Sequence, residues 1–249
     1  MYEISDYLQL ADSWGIIPNF WLSSGYLQIQ KVSIKTNNKL LWIEEDDWVL
    51  FPPLPLQGGL SEYPEMKIWS DFANFSVGEK ESFLDWEYTY YSDWFKPERM
   101  VGKEWAVFRK NSRKWARGRE WRYTQQIPPN KDVYALLVCW LESKDNATIE
   151  DFESMEWFLM NGTHRGFIYD QDRLVGINVW DQNGSFLIYR YCITDPAEPF
   201  LNEFARLLFY QSVPGKMVID GGSLNDPGLE RFKDKLNPIR KRAVYSRRI

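Results

Sequence analysis

RGFIYDQDRLVGINVWDQNGSFLIYRYCI, residues 165–193, holds three apolar runs rich in β-branched and aromatic residues, at 165–169, 174–180 and 186–193. Asp170-Gln171-Asp172 separates the first two and Asn183-Gly184 the last two. Short runs bounded by turn residues read as strands, and an Asn-Gly pair is the strongest short hairpin signal. The stretch predicts an antiparallel meander.

Upstream, the run VYALLVCWL at 133–141 has the length and residue types of a buried strand. Thr148-Ile149-Glu150-Asp151 has capping-box form and opens a helix whose Ile149, Phe152, Met155, Trp157, Phe158 and Leu159 make a broad apolar face, with Asn161-Gly162 as its stop. Downstream, Asp195-Pro196 opens a helix through about Gln211, and Pro214-Gly215 ends it. Residues 217–219 read as a strand, Asp220 to Ser223 as a tight loop, 225–236 as a helix closed by Pro238, and 243–246 as a last strand. This alternation excludes all-helical and all-β classes. It predicts an α/β protein with a mixed sheet and helices on both faces.

The first half is less regular. Strands are expected at 26–34, 40–43 and 48–51, a Pro- and Gly-rich loop at 51–59, and a helix at 79–90. Residues 97–117 contain a helix in which Trp105, Phe108 and Trp115 are the apolar contacts and Arg109, Arg113 and Arg117 share another face. Pro128-Pro129 marks a boundary between units 1–128 and 129–249.

The chain has 249 residues, 44% of them hydrophobic and 26% charged, which is ordinary globular usage. Aromatic residues reach 17%, enough for ring-rich cores with a few rings left at the surface. The opening residues carry Glu3 and Asp6, and no run approaches the roughly 18 apolar residues that span a bilayer. A soluble, cytoplasmic protein is expected. Cys139 and Cys192 lie in apolar runs and read as buried thiols, which leaves no disulfide framework or cysteine-rich zinc site, and no metal is expected. His164 is the only histidine, so a histidine-activated nucleophile has a single candidate base. The net charge of −5 hides two basic segments: ten Lys or Arg against three acids at 96–122, and eight against one at 231–249. Positive charge so concentrated suits an anionic donor or a nucleic acid.

The stretch KPERMVGKEWAVFRKNSRKW, with Lys103 and Arg109, and the closing VIDGGSLNDPGLERFK at 218–233, with Pro238 beyond, resemble the DUF2156 family of tandem GNAT-like proteins, which includes the aminoacyl-transferase end of phosphatidylglycerol lysyltransferases. The similarity covers roughly residues 85 to 249. It implies two GNAT-like halves, the first degenerate, with a reaction centre in a cleft between them. It also implies acyl or aminoacyl transfer from acyl-CoA or an aminoacyl-tRNA to an amine or hydroxyl. Acetyl-CoA users carry a glycine-rich turn after the fourth strand, where backbone N–H groups hold a pyrophosphate. Here the segment is CITDPAEP, with no glycine and with Asp195 and Glu198 where the phosphate would sit.

Among the residues, Asp220 sits at a strand end beside Gly221-Gly222 and is placed to orient or deprotonate an acceptor. Lys233 would neutralise a phosphate or a developing oxyanion, and Tyr191 and Tyr245 would offer hydroxyl donors. Lys103, Arg109, Arg113 and Arg117 would bind donor phosphates as a unit. Two further readings stand beside the transferase: a binder or modifier of tRNA or DNA, and a non-catalytic descendant that keeps the fold for protein interaction.

Overall fold

In the computed structural model, residues 2–37, 39–45, 48–51, 53–56, 69–70, 79–144, 148–161, 164–222 and 226–248 are described. The chain opens with α1 (Ile4–Ser13) and α2 (Ser24–Ile29), followed by a small sheet of β1 (Ser33–Thr36), β2 (Leu40–Glu45), β3 (Trp48–Val49) and β4 (Leu54–Pro55). Next come β5 (Trp69–Ser70), β6 (Glu79–Tyr91), α3 (Ala106–Ala116) and β7 (Trp121–Thr124). Then follow α4 (Asn130–Glu142), α5 (Ile149–Asn161), β8 (His164–Asp170), β9 (Arg173–Asn183) and β10 (Phe186–Thr194). The chain closes with α6 (Leu201–Ser212), β11 (Met217–Asp220), α7 (Pro227–Asp234) and β12 (Arg240–Arg248). The large sheet runs β5-β12-β6-β11-β10-β9-β8-β7, so strands from both sides of Pro128-Pro129 share one hydrogen-bonded surface.

The meander at 165–193 forms as expected. Asn183 pairs with Phe186, so Gly184 and Ser185 make the hairpin turn, with Gly184 at a φ of 56° that glycine adopts without strain. The capping box of α5 also forms: the Asp151 N–H donates to Thr148 Oγ1 at 3.2 Å and the Thr148 N–H to Asp151 Oδ2 at 3.0 Å. At α7, Asp226 Oδ1 accepts from the Gly228 and Leu229 N–H groups, with Pro227 in the first turn.

Several expectations are corrected. Residues 133–141 lie in helix α4, where Val133, Leu136, Leu137 and Leu141 make one buried stripe and Val138 is 42% exposed. A continuous apolar run does not by itself distinguish strand from helix, and here the 3.6-residue spacing decides. Cys139 is therefore exposed, while Cys192 is buried. Residues 79–90 are not helical: they form most of the 13-residue strand β6, in which Asp85, Glu87 and Thr89 alternate with Trp86, Tyr88 and Tyr90. The strand expected at 26–34 is the helix α2 followed by β1, because Ser23 Oγ accepts the Tyr26 N–H and starts a turn. Helix α6 begins at Leu201, later than Asp195-Pro196, whose segment instead folds as a turn in which Asp195 Oδ1 accepts the Ala197 N–H. Part of the 51–59 loop pairs as β4, and its Pro52 and residues 57–59 lie outside the described residues.

The aromatic share goes into the core. On one sheet face, Tyr88, Tyr90, Phe95, Tyr189, Phe209 and Tyr210 pack beneath α3 and α6, with Phe95 stacked on Tyr210 at 3.8 Å and Tyr189 on Phe209 at 4.1 Å. The other face of β8–β10 is covered by α4 and α5 through Leu137, Phe158, Ile177, Val179 and Ile193. Beside them, α1, α2 and the small sheet close around Tyr7, Leu27, Ile43 and Leu54.

Candidate functional site

The parallel pair β10 and β11 is where the sheet changes character. Their register runs from Phe186↔Met217 to Tyr189↔Asp220 and stops there, while β10 continues to Thr194. A bulge falls between Tyr189 and Tyr191 in the pairing with β9, with Arg190 at the extra position. Bulges re-aim side chains. Tyr189 and Cys192 point to the α6 side, whereas Tyr191 and Ile193 pack on the α5 side.

On the α6 side, Asp220 and Lys233 meet, and Arg206 joins them. Lys233 Nζ donates to Asp220 Oδ1 at 2.8 Å and Arg206 Nη1 donates to Asp220 Oδ2. Lys233 also donates to the carbonyls of Gly221 and Gly222, so its three N–H bonds each have an acceptor. All three side chains are buried. Burial alone would raise the Asp220 carboxyl, but the Arg206 guanidinium and Lys233 ammonium outweigh it and hold it below the ordinary carboxylate range. Asp220 is thus an ionised clasp with both oxygens occupied, and Lys233 fixes the turn that leaves β11.

A pH prediction follows from this clasp. A carboxyl whose folded value lies below its unfolded value, about 3.9, adds stability that is fully present above that value and disappears as pH falls through the folded one. The thermal midpoint of the wild type should therefore drop steeply below about pH 4, and that of Asp220→Asn should follow a flatter profile; parallel profiles would contradict the assignment.

The other predicted residues do not converge there. Tyr191 lies on the opposite face, its hydroxyl 3.0 Å from Ser154 Oγ and its ring edge-on to Phe158, and burial raises its phenol. Tyr245 packs edge-on to Phe83. It pairs with Phe83 on β6, whereas Asp220 pairs with Tyr88, a separation of about 16 Å along the strand. Arg109 folds back to donate to the Met100 and Gly102 carbonyls, while Lys103, Arg113 and Arg117 are exposed on or beside α3. The second basic segment is drawn into the fold: Lys241 bonds Glu230 and Asp234, Arg242 Nε donates to Glu87 Oε1 at 2.8 Å, and Arg240 Nη2 donates to Thr89 Oγ1. Asp195 and Glu198 are likewise engaged, Asp195 by Arg173 and Glu198 by Arg173, Arg119 and the Trp115 indole. His164 opens β8 and stacks on Trp180. Among the described residues, no three His, Cys, Asp or Glu side chains are grouped to hold a metal.

The face opposite the clasp carries a polar row that the sequence reading missed. Across the sheet it runs from Arg242 and its register partner Glu87, past Gly221 beyond the end of β11, to Arg190, with Asp181 of β9 on the far side. Phe20 lies over the gap at Gly221: its N–H donates to Glu87 Oε2, and its ring centroid is 4.5 Å from the Arg190 guanidinium. A Cβ on Gly221 would come within 2.6 Å of that ring, so with any larger residue there the ring would have to shift. Arg190 Nη2 donates to Ser23 Oγ, which donates to Asp181 Oδ2 at 2.8 Å. Tyr26 and Phe158 flank the same guanidinium. Burial lowers Arg190 to about 10, so it remains a cation at neutral pH. Two signals were available: a charge inside the apolar run LIYRYCI, and the period-two acids Asp85 and Glu87.

Solved structures place this architecture. A conserved protein of unknown function from Bacteroides thetaiotaomicron superposes with a TM-score of 0.77 at 12% identity, over 98% of this chain and 97% of that one. The C-terminal DUF2156 domain of a putative lysylphosphatidylglycerol synthetase from Agrobacterium fabrum gives 0.64 at 10% identity, over 98% and 91%. A tandem GNAT protein from the clavulanic acid biosynthesis pathway gives 0.52 at 9%, over 98% and 94%. The chain has the GNAT-like fold seen in DUF2156 domains. At these identities the likeness is one of fold. No protein-family model matches the chain, and comparison with curated proteins gives no match. No described helix of this GNAT-like chain is long and apolar enough to cross a membrane.

Proposed function

We propose that the protein is an acyl- or aminoacyl-transferase that works at the sheet face where β10 and β11 part. The observation that carries this reading is the end of their pairing at Tyr189↔Asp220, which with the Arg190 bulge opens the sheet in front of a polar row. In the reaction, a bond forms between the acceptor nitrogen or oxygen and the acyl carbon as the donor's C–O or C–S bond breaks. The proton lost by the acceptor leaves with the donor's hydroxyl or thiol. Asp220 and Lys233 serve as positioning residues, holding the Gly221-Gly222 turn from behind. Tyr191 lines the acceptor side. Residues 1–128 and 129–249 act as two GNAT-like halves joined through the shared sheet.

An aminoacyl-tRNA is favoured over acyl-CoA as donor. The turn between β10 and α6 carries no glycine, and its acids are tied to arginines, so it lacks the open row of N–H groups that cradles a pyrophosphate. Lys103, Arg113 and Arg117 stand exposed for phosphate contacts. Filter binding of charged tRNA and thermal shift with acetyl-CoA, each across a salt series, test this preference. Binding of tRNA should weaken steeply with salt, and the triple variant Lys103→Ala, Arg113→Ala, Arg117→Ala should lower the slope by about 0.7–0.9 for each phosphate contact removed. Stabilisation by acetyl-CoA without tRNA binding would reverse the donor assignment.

A further inference from the structure

The Arg190 side chain is 1% exposed, yet among the described residues its Nε and Nη1 have no hydrogen-bond partner. Asp181 neutralises it from 3.8 Å, outside hydrogen-bond distance, and among the described residues only Nη2 is bonded, to Ser23. Buried arginine donors are ordinarily filled, and a guanidinium is built to receive a planar anion. With Asp181 beside it and Glu87 beyond Phe20, the surroundings oppose a dianion more strongly than a single negative charge. The rings of Phe20, Tyr26 and Phe158, with centroids 4.5–5.5 Å from the guanidinium carbon, supply apolar walls. Phe20 and Tyr26 are half-buried and Phe158 is buried, and Phe20 is the ring that spans the row above Gly221.

We infer that Arg190 binds the carboxylate of a substrate with an apolar aryl or alkyl body, with the Phe20 ring as the movable cover of the site. Nη1 donates to the carboxylate while Nε, on another edge of the guanidinium, faces Asp181, and the apolar body lies against Tyr26 and Phe158. The inference rests on the transferase reading only in taking the bound molecule as the acyl acceptor.

Calorimetric titration of the full chain with phenylacetate, and with inorganic phosphate as a second probe, tests it. Phenylacetate should bind saturably to the wild type, at least tenfold more weakly to Arg190→Lys, and not at all to the double variant Asp181→Asn, Arg190→Met, which removes cation and counter-ion together. Phe20→Ala should bind more tightly than the wild type. Phosphate should give no saturable heat. The inference is overturned if phenylacetate fails to bind the wild type, if it binds the double variant equally well, or if phosphate is preferred. Thermal melting establishes that each variant is folded, and if the double variant is not, Arg190→Lys decides. No donor is present in this titration. Arg190-dependent binding without acyl transfer therefore removes the transferase reading alone, and transfer unaffected by Arg190→Lys removes this inference alone.

Discussion

Asp220→Asn should destabilise the protein by about 3–5 kcal/mol, because it strands two buried cations where a carboxylate now satisfies both. Removing one partner of a buried ion pair leaves the desolvation penalty of the other without its compensation, and here Arg206 and Lys233 are both left. Thermal melting should show a fall of roughly 10 °C. The companion experiment is the double variant Asp220→Asn, Lys233→Met. Since the two side chains act as one unit, the double variant should lose less than the sum of the singles. Strictly additive losses would mean that the clasp stores no coupling energy. Any loss of activity in Asp220→Asn is then read as loss of the Gly221-Gly222 position.

Phe95→Ala should cost about 3–5 kcal/mol through an unrelated mechanism. Phe95 is fully buried, stacked on Tyr210 and edge-on to Tyr90, Trp105 and Phe108, so it joins β6, α3 and α6 through one ring. Truncation leaves a cavity lined by rigid aromatic rings, which collapse poorly into empty space. Denaturant unfolding checks the figure. Phe95→Leu, which keeps most of the volume, should lose less than half as much, and equal losses would point to ring contacts rather than volume as the source.

What the sequence disclosed divides by the kind of signal. The meander at 165–193 was readable because turn residues punctuate it and its strands are close neighbours in sequence. The helix at 130–142 was misread because its stripe of Val133, Leu136, Leu137 and Leu141 is embedded in further apolar residues such as Val138 and Trp140, which hide the period. Strand β6 was missed for the opposite reason. Its Asp85 and Glu87 look like solvent-facing helix residues until Arg242 and the Phe20 backbone, both far away in sequence, are brought against the strand. Asp220 and Lys233 were singled out separately, one for the acceptor and one for a phosphate or oxyanion, and nothing local pointed to their mutual contact or to Arg206 as its third member. Arg190 shows the limit most clearly. Its meaning depends on Ser23, Phe20 and Asp181, which only the packed fold assembles. An unexplained charge within an apolar strand is the one clue that single-sequence reading offers.

The central claim is that the face carrying Arg190, where β10 and β11 part, supports acyl transfer. Its most direct test is the rate at which the purified protein discharges tRNA carrying labelled amino acids, with acyl-CoA thiol release measured in parallel, in wild type and Arg190→Lys. Discharge above the blank is expected for the wild type, with a marked slowing in Arg190→Lys at a temperature well below the thermal midpoint of either protein. Decay of every donor at the blank rate would contradict the claim.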